Sequence, residues 1–124
     1  MTGRELYRRA VALLGQESAD VTYYEDIALE AINQLLADYL WEHNALCHTF
    51  GWTDYYISPP ELLSLDDAIP YAERMVRECF PYGLAALLVA DEDHEEYNRM
   101  MDALEQRIRN YRPCCETWMR EMEE

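Results

Sequence analysis

Polar and apolar positions follow a helical period over most of the chain. In residues 4–14, Leu6, Tyr7, Ala10, Val11 and Leu14 share one stripe, Arg4, Glu5 and Arg8 fall off it, and Gly15 is placed to end the helix. A second stripe, Ile27, Ala28, Ala31, Ile32, Leu35, Leu36, Tyr39 and Leu40, predicts one long inward-facing helix continuing to about Cys47. Thr22 and Glu25 are spaced as the capping box that opens it. A third helix is expected from Tyr71, with Pro70 near its first position and Met75, Val76, Cys79 and Phe80 inward. It should kink at Pro81, which lacks a backbone donor and crowds the preceding turn. Beyond the kink, residues 81–90 carry no charge, and Leu84, Ala85, Leu87, Leu88 and Val89 surround the helix. A segment apolar on every side belongs at the centre of a core, and Gly83, Ala85 and Ala86 let neighbours approach closely.

The fourth helix spans about 94–111, with Tyr97, Met100, Met101, Leu104, Ile108 and Tyr111 on one face. Asp93 is its expected cap, with Glu95 and Glu96 at its positive end. Glu95 with Arg99 and Glu105 with Arg109 are spaced for i,i+4 pairs, and Pro113 stops the helix. The expectation is therefore an all-α single domain over residues 1–124. It has four main helices, one kinked at Pro81, and a long aromatic loop or short hairpin between the second and third. Residues 113–124 are acidic but carry Trp118, Met119 and Met122, so they either dock as a short amphipathic helix or fray.

The period fails between His48 and Pro70. Thr49, Phe50, Trp52, Tyr55, Tyr56 and Ile57 are aromatic or β-branched, Gly51 interrupts them, and Pro59 and Pro60 close the run. Such a stretch forms either a short hairpin or an extended arm packed on this domain or a neighbour, since long loops in small domains are commonly functional. Residues 64–69 read as turn chemistry. Trp41 lies on the polar face of the second helix, either covered by the following loop or available to a partner. His43 projects toward the apolar side as a core histidine. Trp41, Phe50, Trp52, Tyr55, Tyr56 and Trp118 are thus the candidate subunit or partner interface.

Charge narrows the classes of partner. The chain has 124 residues and a net charge of −15, and its ten basic residues are all arginine. An acidic surface repels phosphates and anionic lipid, which argues against specific nucleic-acid or membrane binding. No stretch approaches the roughly 20 apolar residues of a membrane helix, and the first fourteen residues carry Arg4, Arg8 and Arg9 through their apolar pattern, unlike an export signal. A soluble protein with reduced cysteines is expected.

Candidate chemistry is sparse. Cys47, His48, Cys114 and Cys115 lack the paired spacing of zinc ligands. The acidic run 91–96 lacks the glycine and terminal glutamate of a calcium loop, and Asp91 with His94 is half of a di-iron motif without its second half. There is no nucleophile elbow, no zinc-protease motif and no phosphate loop. The expectation is no catalytic residue, no cofactor and no metal, and hence a binding or structural protein.

Three stretches, residues 32–36 (Ile-Asn-Gln-Leu-Leu), 64–71 (Ser-Leu-Asp-Asp-Ala-Ile-Pro-Tyr) and 81–88 (Pro-Tyr-Gly-Leu-Ala-Ala-Leu-Leu), occur in this order. With them the chain resembles the small head–tail connector (adaptor) proteins of long-tailed bacteriophages and prophages, over about residues 6–111. The resemblance implies a mostly helical structural subunit, assembled in the bacterial cytoplasm and resident in the virion. It would self-associate as a ring under the portal protein, meet a tail-completion protein and extend the channel through which DNA passes as cargo. It carries over no catalytic residue. A second class fits the acidity: a DNA mimic, or helical interaction protein, that occupies a host DNA-binding protein.

Overall fold

The computed structural model describes residues 1–15, 24–51 and 55–111. Among these the chain forms α1 (Gly3–Leu13), α2 (Glu25–Asp38), α3 (Leu40–Phe50), α4 (Glu73–Val89) and α5 (His94–Ile108), followed by a 3-10 turn at Arg109–Tyr111. The fold is all-helical, and the only β-type pairing among the described residues is an isolated bridge between Thr2 and Ala68.

α4 is the centre, as its composition dictates, and it packs against α1, α2 and α5. Phe80, Leu84, Ala85 and Ala86 are fully buried, whereas Leu87 sits at the margin of the core. Gly83 explains how closely the helices approach. A Cβ placed there would lie 2.8 Å from a Leu35 methyl of α2 and 3.4 Å from a Leu104 methyl of α5. Pro81 stays inside a helix that runs on as one element, so the expected kink does not divide it.

The helix ends follow local chemistry. Asp93 caps α5 by accepting the Glu96 N–H at 3.1 Å, with Glu95 and Glu96 in the first turn. Thr2 caps α1 through the Glu5 N–H, a cap its sequence position announces but which the stripe of apolar residues overshadows. Gly15, just past α1, has the positive φ of 72° that a terminal glycine supplies.

Several expectations need correction. The single helix from Thr22 to Cys47 is two helices, because the backbone at Tyr39 leaves helical geometry (φ −114°, ψ 20°) and restarts as α3. Tyr39 is partly buried with its ring 5.9 Å from that of Phe80, so the break turns an aromatic side chain onto α4. Ile27, expected inward, is exposed. Thr49 and Phe50 belong to α3, which Gly51 ends at φ 71°, and residues 55–60 form no strand. α4 begins at Glu73 rather than Tyr71. Arg99 pairs with Glu96 rather than Glu95. The Thr22 cap, Trp52 and the 113–124 segment lie outside the described residues.

Candidate interaction surface

The surface is built by two asparagines. Asn44, on α3, donates from Nδ2 to the Tyr56 carbonyl at 2.9 Å and accepts the Tyr56 N–H on Oδ1 at 3.1 Å. Asn33, on α2, does the same to Leu62, accepting its N–H at 2.7 Å and donating to its carbonyl at 3.1 Å. Each amide reproduces the two-way pairing of a strand neighbour, which satisfies loop backbone that would otherwise be buried unpaired. The segment 55–63 is thereby pinned to its own domain.

The pinned residues face the domain, and their neighbours are left at the surface. Tyr56 packs inward, with its hydroxyl on the Pro70 carbonyl at 3.3 Å and its ring 5.5 Å from that of His43. Tyr55 and Ile57 on either side are exposed, Ile57 completely. Leu62 is buried, and Glu61 and Leu63 on either side are exposed, Leu63 at 87%. The turn that follows is held by Asp67, whose carboxylate accepts the Leu63 and Ser64 N–H groups. Arg4 ties it to the helices by pairing with both Asp66 and Glu25.

Beneath this segment lies His43, 2% exposed and stacked on Tyr71 with ring centroids 4.5 Å apart. Its Nδ1 accepts the Ala72 N–H, the capping residue of α4, at 3.0 Å. Accepting there places the ring proton on Nε2, which faces Cys47 Sγ at 3.4 Å. His43 is therefore a core histidine that fixes where α4 starts. The Tyr71 hydroxyl donates to the Leu36 carbonyl and its burial raises the phenol above its ordinary value.

Of the six candidate interface residues, Trp41, Phe50 and Tyr55 are exposed, Tyr56 is a partly buried anchor, and Trp52 and Trp118 lie outside the described residues. Sequence reading missed Asn33 and Asn44 as clamps. The available signal was an asparagine on the apolar side of a helix, where only a hydrogen-bonding partner makes burial tolerable.

Only part of the candidate ligand sets lies among the described residues. Cys47 and Cys79 are buried, and burial pushes the Cys79 thiol up to about 12. Among the described residues no group of three or more histidine, cysteine or carboxylate side chains is placed to hold a metal ion. Asp93 is occupied as a cap, and Glu92 accepts the Tyr24 hydroxyl at 3.0 Å. Cys114 and Cys115 lie outside the described residues.

Two charge features remain. Glu42 is partly buried next to the α2–α3 break, and its Oε2 has no hydrogen-bond partner among the described residues. Burial, with Glu105 and Asp38 nearby, holds its carboxyl above the usual range. The same surroundings push Tyr39 up to about 12, burial first. A groove of about 380 Å³ between α1 and α4 is lined by Arg9, Ala12, Leu13, Arg77, Pro81 and Tyr82. No helix among the described residues is long and apolar enough to cross a membrane.

Comparison with known proteins adds no relative: no family model, no curated protein and no solved structure matches the chain.

Proposed function

We propose that this chain is a non-catalytic structural subunit of a phage or prophage head–tail junction, a connector that assembles as a ring under the portal and extends the DNA channel. The observation that carries the reading is the pinned segment 55–63, which turns Tyr55, Ile57 and Leu63 outward from an acidic, all-helical body. Large apolar side chains held outward on fixed backbone suit a protein interface, because the ordering cost is met before binding. The stretches 64–71 and 81–88, which help carry the resemblance, form the turn beside α1 and the C-terminal half of α4. The charge of −15 suits a conduit wall, since phosphates of passing DNA are repelled rather than gripped. A tail-completion protein would meet the ring's other face, and the subunit would end in the virion.

Native mass spectrometry of the chain mixed with its cognate portal protein, and separately with host DNA-binding proteins, tests this. Multiple copies bound per portal assembly support the connector. Absence of portal binding, with tight one-to-one capture of a DNA-binding protein, overturns it in favour of the DNA mimic.

A further inference from the structure

The groove between α1 and α4 sets two arginines, Arg9 and Arg77, beside apolar side chains. Arg9 is exposed and has no acid partner among the described residues. Arg77 gives Nε and one terminal nitrogen to a single Glu73 oxygen, which leaves its other terminal nitrogen available to a second carboxylate. Tyr82 is held in place as a wall by Arg107, whose guanidinium lies 3.8 Å from the ring centre and donates to the hydroxyl at 2.9 Å. Ala12, Leu13 and Pro81 supply the floor. Such a site takes a carboxylate attached next to an aliphatic side chain.

The chain itself presents that group elsewhere. Glu61 and Leu63 are both exposed on the Asn33-clamped loop, on either side of buried Leu62. They cannot fill their own groove. Leu62 packs against Gly3 and the Leu65 carbonyl accepts the Arg4 N–H at 2.7 Å, which sets the loop at the start of α1. Arg9, Ala12 and Leu13 lie toward its end, roughly 10–15 Å further along at 1.5 Å per residue. We infer that the Arg9–Arg77 groove receives the Glu61–Leu63 corner of a second copy of this chain.

Because groove and corner are different patches, the contact is heterologous: each copy uses one and offers the other, and repetition gives a ring or an open chain of subunits. The inference deepens the connector reading and rests on it for its biological meaning, but its geometry stands on the residues named. The groove also explains how a chain of charge −15 can approach itself, since the contact pairs Arg9 with a carboxylate.

Two variants, each with one patch removed, test it. Arg9→Glu spoils the groove and keeps the corner, and Leu63→Asp spoils the corner and keeps the groove. Both residues are exposed, so both variants should fold, which circular dichroism checks. Sedimentation at 0.15 M salt and protein concentrations up to 1 mM should show wild-type self-association weakened at least tenfold in either variant alone. The mixture of the two should form a one-to-one heterodimer and nothing larger. Glu61→Arg combined with Arg9→Glu should recover part of the wild-type association. A wild type monomeric up to 1 mM, or association unchanged by both substitutions, overturns the assignment of these patches. Portal decoration that persists in either case shows that the connector reading survives without this contact.

Discussion

Asn44 holds Tyr56 by both backbone groups, at 2.9 and 3.1 Å, and so converts a stretch of loop into a fixed edge of the domain. Removing the amide leaves the Tyr56 N–H and carbonyl without their partners. Asn44→Ala is expected to cost about 1–3 kcal/mol in denaturant unfolding. Hydrogen exchange should quicken at Tyr56 while the α4 amides keep their order of protection. Asn44→Asp, which accepts the N–H but sets a carboxylate oxygen against the Tyr56 carbonyl, should be no more stable than Asn44→Ala near pH 7.

Gly83 separates two effects that a single substitution would mix. Gly83→Ala gains about 1 kcal/mol of helix propensity but puts a Cβ 2.8 Å from the Leu35 methyl, so the expected net change is small. Gly83→Leu has no room between Leu35 and Leu104 and should lose about 1–3 kcal/mol through overpacking. Thermal or urea melts of the pair read this directly, and a Gly83→Leu protein as stable as wild type would remove α4 from the centre of the core.

Much of the fold was legible because it is written in periodicity. The stripes of α1 and α5, the uncharged run of α4 and the Asp93 cap all follow from side-chain spacing and local hydrogen bonding. The break at Tyr39 was not, because Tyr39 continues the apolar stripe of α2 and leaves helical geometry to put its ring against Phe80, a contact 41 residues away in the chain. Of the candidate interface residues, Trp41, Phe50 and Tyr55 are exposed. Tyr56 was indistinguishable from Tyr55 by composition, and only the clamp from Asn44 makes one an anchor and the other a surface residue. The groove brings together Arg9 and Arg77, 68 residues apart, and no pattern in the sequence connects them.

Glu42 gives a pH dependence of known direction. Its folded value lies above the ordinary 4.5, so folding takes up a proton between those two values and stability falls as pH rises through that window. Below 4.5 the carboxyl is largely neutral folded or unfolded, and above the raised value the full penalty of burying the charge applies. Glu42→Gln should therefore match wild type in acid and become progressively more stable than it toward pH 7. A stability difference that stays constant with pH would contradict the burial of that carboxylate.

Cys79 is buried with its thiol pushed up to about 12, and Cys47 is buried beside His43. Since the thiolate is the reactive form, neither should react with a maleimide or a disulfide reagent at pH 8 in the native state. Peptide mass mapping after brief labelling should find both sites unmodified until denaturant is added. Rapid native labelling of Cys79 would contradict its place in the core.

The central claim, that this chain is a ring-forming connector subunit, is tested most directly by electron microscopy of the cognate portal protein with and without a saturating excess of the chain. The account predicts an added ring of density, coaxial with the portal and surrounding an open channel, on the face turned toward the tail. Portal particles unchanged by the excess, or density bound off the axis without closing around the channel, would contradict it.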